Sequence, residues 1–454
     1  MRQLSDINRI MNHSRHRLFR IALFLILAVC LLVTSGCDYL GYYSRQRTWR
    51  ALYESQPRMS FLQRFAPQDS LLVTGRILDS DPVRGPLLLA AVSSQYRENE
   101  VVALTTIRNP AEGYTLFLPA GDYGFFVFAD LNGNGVFERN ELIGQASMLV
   151  TAPVSIGSSS VLEGPTIALN YQDPGKTVFR LRVRVSAISY VYPSLDDEFF
   201  DPRYGTEGLY NPAGFMAHTQ GFLFGLEEYD ERKTTVLFVH GIEGTPRDFK
   251  FFVEGLDRSR FQPFFLYYPS GMPLDKLGSL LALSLESWKN RSHKVVLVAH
   301  SMGGLVALSA IGKLTDKGIP AGLAMYFSFS TPYGGVASAQ EGVDKAPYVV
   351  PVWKDIACNS EFLKCMASRP FPAKLPFYLF FTYKDPSTFK LGESSDGSVT
   401  LSSQLDPTAQ FWATKTLGFN ESHESFLSSK DGRDAFLRLL EQAAPDHTIF
   451  RTRQ

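Results

Sequence analysis

The segment Lys294-Val-Val-Leu-Val-Ala-His-Ser-Met-Gly-Gly304 gives one serine the setting for nucleophilic chemistry. An apolar run ends at Ser301, pinned between small residues, and the chain then turns amphipathic. This reads as a strand, a tight turn and a helix start, the geometry of a nucleophile elbow. The turn forces strained backbone angles on Ser301 and stands its hydroxyl above the sheet, and Ala299 and Gly303 must be small to let strand and helix approach. A serine hydroxyl is a weak nucleophile on its own, so a base has to accompany it.

A second motif supplies the electrostatics. An expected strand over residues 234–239 runs into His240-Gly-Ile-Glu-Gly-Thr245. A glycine-rich turn there lets backbone N–H groups point at the oxygen that gains charge in a tetrahedral intermediate. We assign this oxyanion hole to the N–H groups of Ile242 and Met302, each such donor lowering a comparable barrier by roughly 3 to 4 kcal/mol.

Taken together, Val239-His-Gly-Ile-Glu-Gly244 and Ala299-His-Ser-Met-Gly-Gly304 resemble α/β-hydrolase lipases and esterases, especially small bacterial lipases with alanine at the first elbow position. The resemblance covers residues 234–441. It implies a triad in the chain order serine, acid, histidine. Downstream of Ser301 stand only His423 and His447. His423 sits in a loop before a helical pattern over 426–442, where family members place their base, whereas His447 lies near a polar terminus that holds geometry poorly. The acid has two candidates. Asp396, in Ser394-Ser-Asp-Gly-Ser-Val399, resembles the Asp-Gly-x-Val segment that supplies it in many lipases and is preferred; Asp385 lies nearer a strand end, and as Asp-Pro it also reads as a turn starter.

These groups need a scaffold. Past Thr234, expected strands at 234–239, 263–268, 294–299, 323–330 and 377–383 alternate with helices at 274–290 and 304–314, which implies a parallel sheet covered on both faces. Ligands in such sheets bind beyond the carboxyl ends of the strands, where Ser301 falls. An insertion between Thr331 and Phe377 carries Tyr348, Trp353, Phe362 and Phe371, aromatics that either cap the site and line an acyl pocket or pack an extra helix pair.

The region before this sheet differs. Short strands at 71–74, 87–92, 101–104, 114–118 and 123–128, separated by turn residues, read as an all-β sandwich. Within it, Asp130-Leu-Asn-Gly-Asn-Gly-Val-Phe-Glu-Arg-Asn-Glu141 fits a calcium loop. Asp130, Asn132 and Asn134 offer side-chain oxygens, Gly135 the turn, Val136 a carbonyl and Glu141 the closing carboxylate. A strand precedes it instead of a helix, so the loop resembles calcium insertions of bacterial β modules. Bound Ca2+ there is structural, and catalysis needs no cofactor.

At the start, Arg15, Arg17 and Arg20 precede an apolar run over 21–33 with the length of a signal-peptide core, and Thr34-Ser-Gly-Cys37 follows. This resembles a bacterial lipobox, with Cys37 lipidated and made the mature N-terminus; Thr34 departs from the usual leucine. Acyl chains on Cys37 contribute roughly 0.8 kcal/mol per buried methylene to anchoring. Asp38 resembles the enterobacterial signal for retention in the inner membrane, which implies an envelope protein facing the periplasm.

Across 454 residues, 45 basic and 45 acidic side chains give zero formal charge, which argues against nucleic acid as a partner. With Cys30 lost in the signal, Cys358 and Cys365 are the remaining thiols. Seven residues of unbroken helix advance about 10 Å, beyond the roughly 7 Å Cα limit of a disulfide, so a bond requires a bend near Asn359 and Ser360. The expected organisation is signal 1–36, tether 37–69, β-sandwich 70–175 and α/β-hydrolase domain 176–454. The implied activity is hydrolysis of carboxylic esters, with lipid esters foremost, through an acyl-enzyme. Acyl transfer by the same residues, a silent binding scaffold and amide cleavage are the alternatives.

Overall fold

The computed structural model describes residues 70–78, 87–93, 100–107, 110, 113–133, 136–151, 161–175, 182–184, 194–212, 215, 222–287, 294–316, 322–346, 349–384 and 394–443. The signal segment, Cys37, Asp38 and the tether lie outside these residues, as do Asn134, Gly135, Tyr348, Asp385 and His447.

A seven-stranded sheet carries the C-terminal half. In chain order its strands are β1 (Leu223–Gly225), β2 (Thr234–Val239), β3 (Phe261–Leu266), β4 (Val295–His300), β5 (Leu323–Phe329), β6 (Phe377–Thr382) and β7 (Lys415–Phe419). They lie in the order β1-β3-β2-β4-β5-β6-β7. Only β1 runs antiparallel to its neighbour. The central strands are buried at every position from Thr234 to Val239 and from Val295 to His300, because helices cover both faces. On one side Val236, Phe238, Val298, Phe327 and Phe380 pack with Phe252 of helix Lys250–Glu254 and Phe436 of helix Lys430–Leu440. Helices Leu274–Ser287 and Met302–Asp316 pack on each other, the latter also against β2 and β4. Parallel strands on two covered faces, with the first motif after β2 and the elbow after β4, make this an α/β-hydrolase sheet.

All five expected strands of this sheet form, with ends moved by up to two residues. Two strands were not anticipated. β1 has three residues, too few for a periodic signal, and β7 is largely solvent-exposed, so Lys415-Thr-Leu-Gly-Phe419 shows no apolar run. The helical pattern over 426–442 resolves into a 3-10 turn Ser425–Ser428 and helix Lys430–Leu440, whose Ser429 cap accepts from Gly432 N–H at 3.2 Å.

In the preceding region, strand Ser70–Gly75 pairs with Tyr114–Pro119 and Val161–Glu163. A four-stranded sheet joins Glu100–Ile107, Leu87–Ser93, Gly121–Ala129 and Leu142–Val150. Leu71, Val73 and Leu116 of the first set share a core with Leu89, Phe125 and Val127 of the second. The other face of Leu87–Ser93 is buried too, where Leu88 and Ala90 meet Phe137 and Leu142; this explains why the strand is apolar throughout instead of alternating. A short strand past residue 175, Arg182–Arg184, pairs antiparallel with Val136–Glu138. Among the described residues no helix is long and apolar enough to cross a membrane.

Candidate active site

Ser301 occupies the corner between β4 and helix Met302–Asp316 with φ of 54°, left-handed backbone that a serine adopts at a cost. Its N–H donates to Phe329 O at 2.8 Å and its carbonyl accepts from Gly304 N–H at 2.9 Å, so both sides of the strained residue are tied down. The expected need for small neighbours holds. A Cβ on Gly303 would stand 2.4 Å from the carbonyl oxygens of both Val239 and His240, which leaves hydrogen as the only substituent that fits. Left-handed non-glycine residues recur along this sheet edge, at Ser330 (φ 51°) just past β5 and Glu243 (φ 53°) in the loop after β2.

The structure brings the other two expected residues to the serine. His423 Nε2 lies 2.8 Å from Ser301 Oγ, and His423 Nδ1 lies 2.7 Å from Asp396 Oδ2. A carboxylate only accepts, so Nδ1 carries the proton and Nε2 is left to accept from the serine hydroxyl. Burial pushes the Asp396 carboxyl upward, but the hydrogen bond and charge of His423 and the N–H groups of Val399 and Ser398 outweigh it and hold the group below its ordinary value. The acid thus stays an anion in a dry site. It also fixes the base through main chain, since His423 N–H donates to Asp396 O at 2.9 Å.

The loop after β2 lies directly against Ser301. A Cβ on Gly241 would stand 3.0 Å from Ser301 Cβ. Among the described residues the N–H groups of Ile242 and Met302 donate to no protein acceptor, as a waiting oxyanion hole requires. Met302 N–H also opens a helix of 15 residues, so the helix dipole reinforces it. His240 fastens the loop's base. Its Nδ1 faces Gly241 O at 2.8 Å and so must donate, and its Nε2 accepts from Tyr268 N–H at 3.3 Å. Burial lowers its pKa to about 4 and keeps it neutral, consistent with that arrangement. Asp248 Oδ2 caps the following turn, accepting from Thr245 N–H at 2.9 Å.

Sequence reasoning overlooked the residues behind the triad. His300, beside the nucleophile, presents Nε2 to His423 O at 3.2 Å, while Thr382 and Gln404 reach the Asp396 carboxylate from β6 and from the short helix Leu401–Gln404. His300 was legible as part of the elbow; nothing in the local pattern marks Thr382 or Gln404, whose partners are remote in sequence.

The remaining expectations divide. Asp130 and Asn132 lie in the loop between the strands Gly121–Ala129 and Leu142–Val150. Glu141 is buried and closes that loop, its two oxygens accepting from Leu131 N–H and Glu138 N–H at 2.9 Å each. Val136 begins the strand Val136–Glu138. Cys358 and Cys365 form no disulfide, although the bend occurs: Asn359 has φ of 59° and Ser360 caps helix Glu361–Ser368. Of the insertion's aromatics, Phe371 stacks on Trp412 and meets Phe377 at a tilt at the amino end of β6, opposite Ser301. Trp353 is packed so closely that a Cβ on Gly342 would come within 2.8 Å of its ring. Trp353 thus packs two insertion helices together, and Phe371 packs the insertion's end onto the sheet.

A family model described as "Putative serine esterase (DUF676)" matches residues 275–360, a stretch that contains Ser301 and ends before Asp396 and His423. No curated protein matches the chain. Among solved structures, the mature form of the Bacillus licheniformis lipase BlEst2 is similar over 49% of this chain and 98% of its own, at 19% identity and a TM-score of 0.38. The lin2722 gene product of Listeria innocua is similar over 48% of this chain and 97% of its own, at 15% identity and a TM-score of 0.35. Phospholipase PlaB of Legionella pneumophila is similar over 38% of this chain and 45% of its own, at 14% identity and a TM-score of 0.30.

Proposed function

We propose that this protein hydrolyses carboxylic esters, with Ser301 as nucleophile, His423 as base and then acid, and Asp396 as the fixed anion behind it. The observation that carries this reading is the unbroken line from Asp396 Oδ2 through the imidazole to Ser301 Oγ, ending on a serine held at positive φ. The serine-esterase description of the family model over residues 275–360 supports it.

Ser301 Oγ attacks the ester carbonyl carbon as its proton passes to His423 Nε2, and the carbonyl oxygen, now negative, rests on the N–H groups of Ile242 and Met302. Collapse breaks the bond to the alcohol, which departs with the proton from Nε2 and leaves an ester on Ser301. Water, deprotonated by the same nitrogen, attacks that ester; collapse breaks the bond to Ser301 Oγ, which takes the proton back from Nε2, and the carboxylic acid departs. Asp396 keeps the imidazole in the tautomer that can accept, and stabilises its charged form.

The substrate in this reading is a lipid ester met at the bacterial envelope, a choice supported by the lipobox-like residues ending at Cys37. The β region serves as a sandwich module between that anchor and the hydrolase domain. Asp130, Asn132, Asn134, the Val136 carbonyl and Glu141 would hold Ca2+ there; the buried Glu141, bonded to both arms of its loop, fits the closing position. The ion would stiffen the loop and take no part in the chemistry.

The test uses the purified mature protein, a fluorophosphonate probe, p-nitrophenyl esters of graded length and phospholipid vesicles. Labelling lost in Ser301→Ala, with turnover of long-chain esters, is the expected result. A folded wild type that neither labels nor turns over any ester removes the enzymatic reading, and activity confined to the shortest esters removes the lipid.

A further inference from the structure

The carboxylate of Asp396 is held by more donors than its partnership with His423 requires. Oδ1 accepts from the N–H groups of Ser398 at 3.0 Å and Val399 at 2.7 Å, which belong to its own turn. Oδ2, the oxygen facing the base, accepts from His423 Nδ1 at 2.7 Å, Thr382 Oγ1 at 2.8 Å and Gln404 Nε2 at 3.1 Å. All three donors on that atom therefore come from outside the acid's own turn, and two of them lie outside the proposed triad.

Both are held in place. Gln404 is buried, its Oε1 accepting from Thr382 N–H at 2.9 Å while its Nε2 also faces Thr382 O at 3.1 Å and Val399 O at 3.2 Å. The amide thus reads the main chain at the end of β6 and ties the acid's turn to it. Thr382 Oγ1 has a second neighbour, Ser330 Oγ at 2.7 Å. Because the threonine proton goes to the carboxylate, Ser330 must be the donor in that pair. A relay Ser330, Thr382, Asp396 results, entirely buried and directed at one oxygen.

We propose that Thr382 and Gln404 are positioning residues that set how strongly Asp396 holds a proton on His423, by competing with the imidazole for Oδ2. This inference rests on the triad reading above. Each added donor draws negative charge off the oxygen, so less remains to stabilise an imidazolium. The base can then release its proton to a leaving alkoxide instead of retaining it. Packing does not require this pairing: an apolar side chain of threonine's shape fits the same volume.

Other titratable groups face the pair and are the same in every variant below. β4 contributes His300, its ring centroid 4.8 Å from that of His423, and the loop after β2 contributes His240, whose charge would act on His300. The base's own loop carries Glu421 and Glu424, and the charge of Glu424 acts on Asp248. Among the described residues Asp396 forms an ion pair with His423 alone.

The experiment compares wild type with Thr382→Val, Gln404→Met and Thr382→Ser. The His423 imidazole is titrated by NMR on protein carrying 13C-labelled histidine and assigned with His423→Gln; fluorophosphonate labelling rates are measured across the same pH range. In T382V and Q404M the imidazole midpoint and the acid limb of labelling both rise by about 0.5 to 1 pH unit, and T382S returns to the wild-type midpoint. A midpoint that is unchanged or lower in T382V and Q404M overturns the proposal, even where labelling slows, because slowing alone reports a structural role. If T382V does not fold, the Q404M midpoint alone upholds or overturns the proposal by the same criterion. Variants that show these imidazole shifts, together with a wild type that never labels, refute the esterase reading and leave the tuning intact.

Discussion

The imidazole of His300 holds the main chain of His423: Nε2 lies 3.2 Å from the His423 carbonyl oxygen, which can only accept. Burial, followed by the charge of His423, pushes the His300 pKa down to about 3, so the ring is a neutral donor at any working pH. With His423 N–H bound to Asp396 O, the peptide on each side of the base is fixed. His300→Leu should lower kcat by about tenfold or more with little change in KM, since it loosens the base and not the substrate. His300→Gln, whose amide reaches the same point, should retain most of the rate. Equal losses in both variants would show that ring packing, and not the hydrogen bond, is what matters.

Gly241 stands where any side chain would push on the nucleophile, 3.0 Å from Ser301 Cβ. Gly241→Ala should fold and lose about tenfold in kcat/KM, since a contact at this distance displaces the nucleophile by a few tenths of an ångström and a full ångström costs about 100-fold. Steady-state kinetics with a thermal melt decides this. Full activity would mean that the loop after β2 yields freely and has no part in setting the geometry.

At Gly303 the obstacle is main chain on two sides, the oxygens of Val239 and His240. Neither can rotate away. Gly303→Ala should therefore lower stability by about 1 to 3 kcal/mol, read from urea midpoints at constant slope. A midpoint equal to wild type would contradict the close approach of β2 and the elbow helix.

Asp248 makes stability depend on pH in a direction opposite to that of a paired carboxylate. Burial raises its carboxyl from 3.8 to about 6, so the folded chain binds this proton more tightly than the unfolded chain does. The stabilisation from protonation is complete below about pH 4 and lost as pH rises through about 6. Asp248→Asn keeps an acceptor for Thr245 N–H and removes the ionisation. It should be more stable than wild type at pH 7.5, by at most about 3 kcal/mol, and equal to it near pH 4. Parallel denaturant titrations at the two pH values check this, and a constant difference between the proteins counts against it.

The chemistry was more legible in the sequence than its supports were. Ser301 and the Gly241 turn announce themselves within a few residues, because an elbow and an N–H-presenting turn are local shapes with local requirements; Asp396 came only from the resemblance of Asp396-Gly-Ser-Val399 to the acid segment of lipases, with Asp385 as its competitor. His423 followed from chain order combined with the paucity of histidines after Ser301. Gln404 and Thr382 left no such trace. Their significance lies in contacts with Asp396 across 8 and 14 residues, made only once β6 and the following loop are in place. β7 was missed for a related reason: an edge strand exposed along one side carries Lys415 and Thr416 where an interior strand would carry valine.

The 122 residues between Ser301 and His423 impose an order in time. A ribosome adding about 5 to 20 residues per second delivers the hydroxyl some 6 to 24 s before the imidazole that activates it. The half-made polypeptide therefore holds an elbow without a base, inert toward whatever esters surround it. His423 follows closely on Lys415–Phe419, so the pairing of that strand with Phe377–Thr382 is what brings the base to the sheet edge.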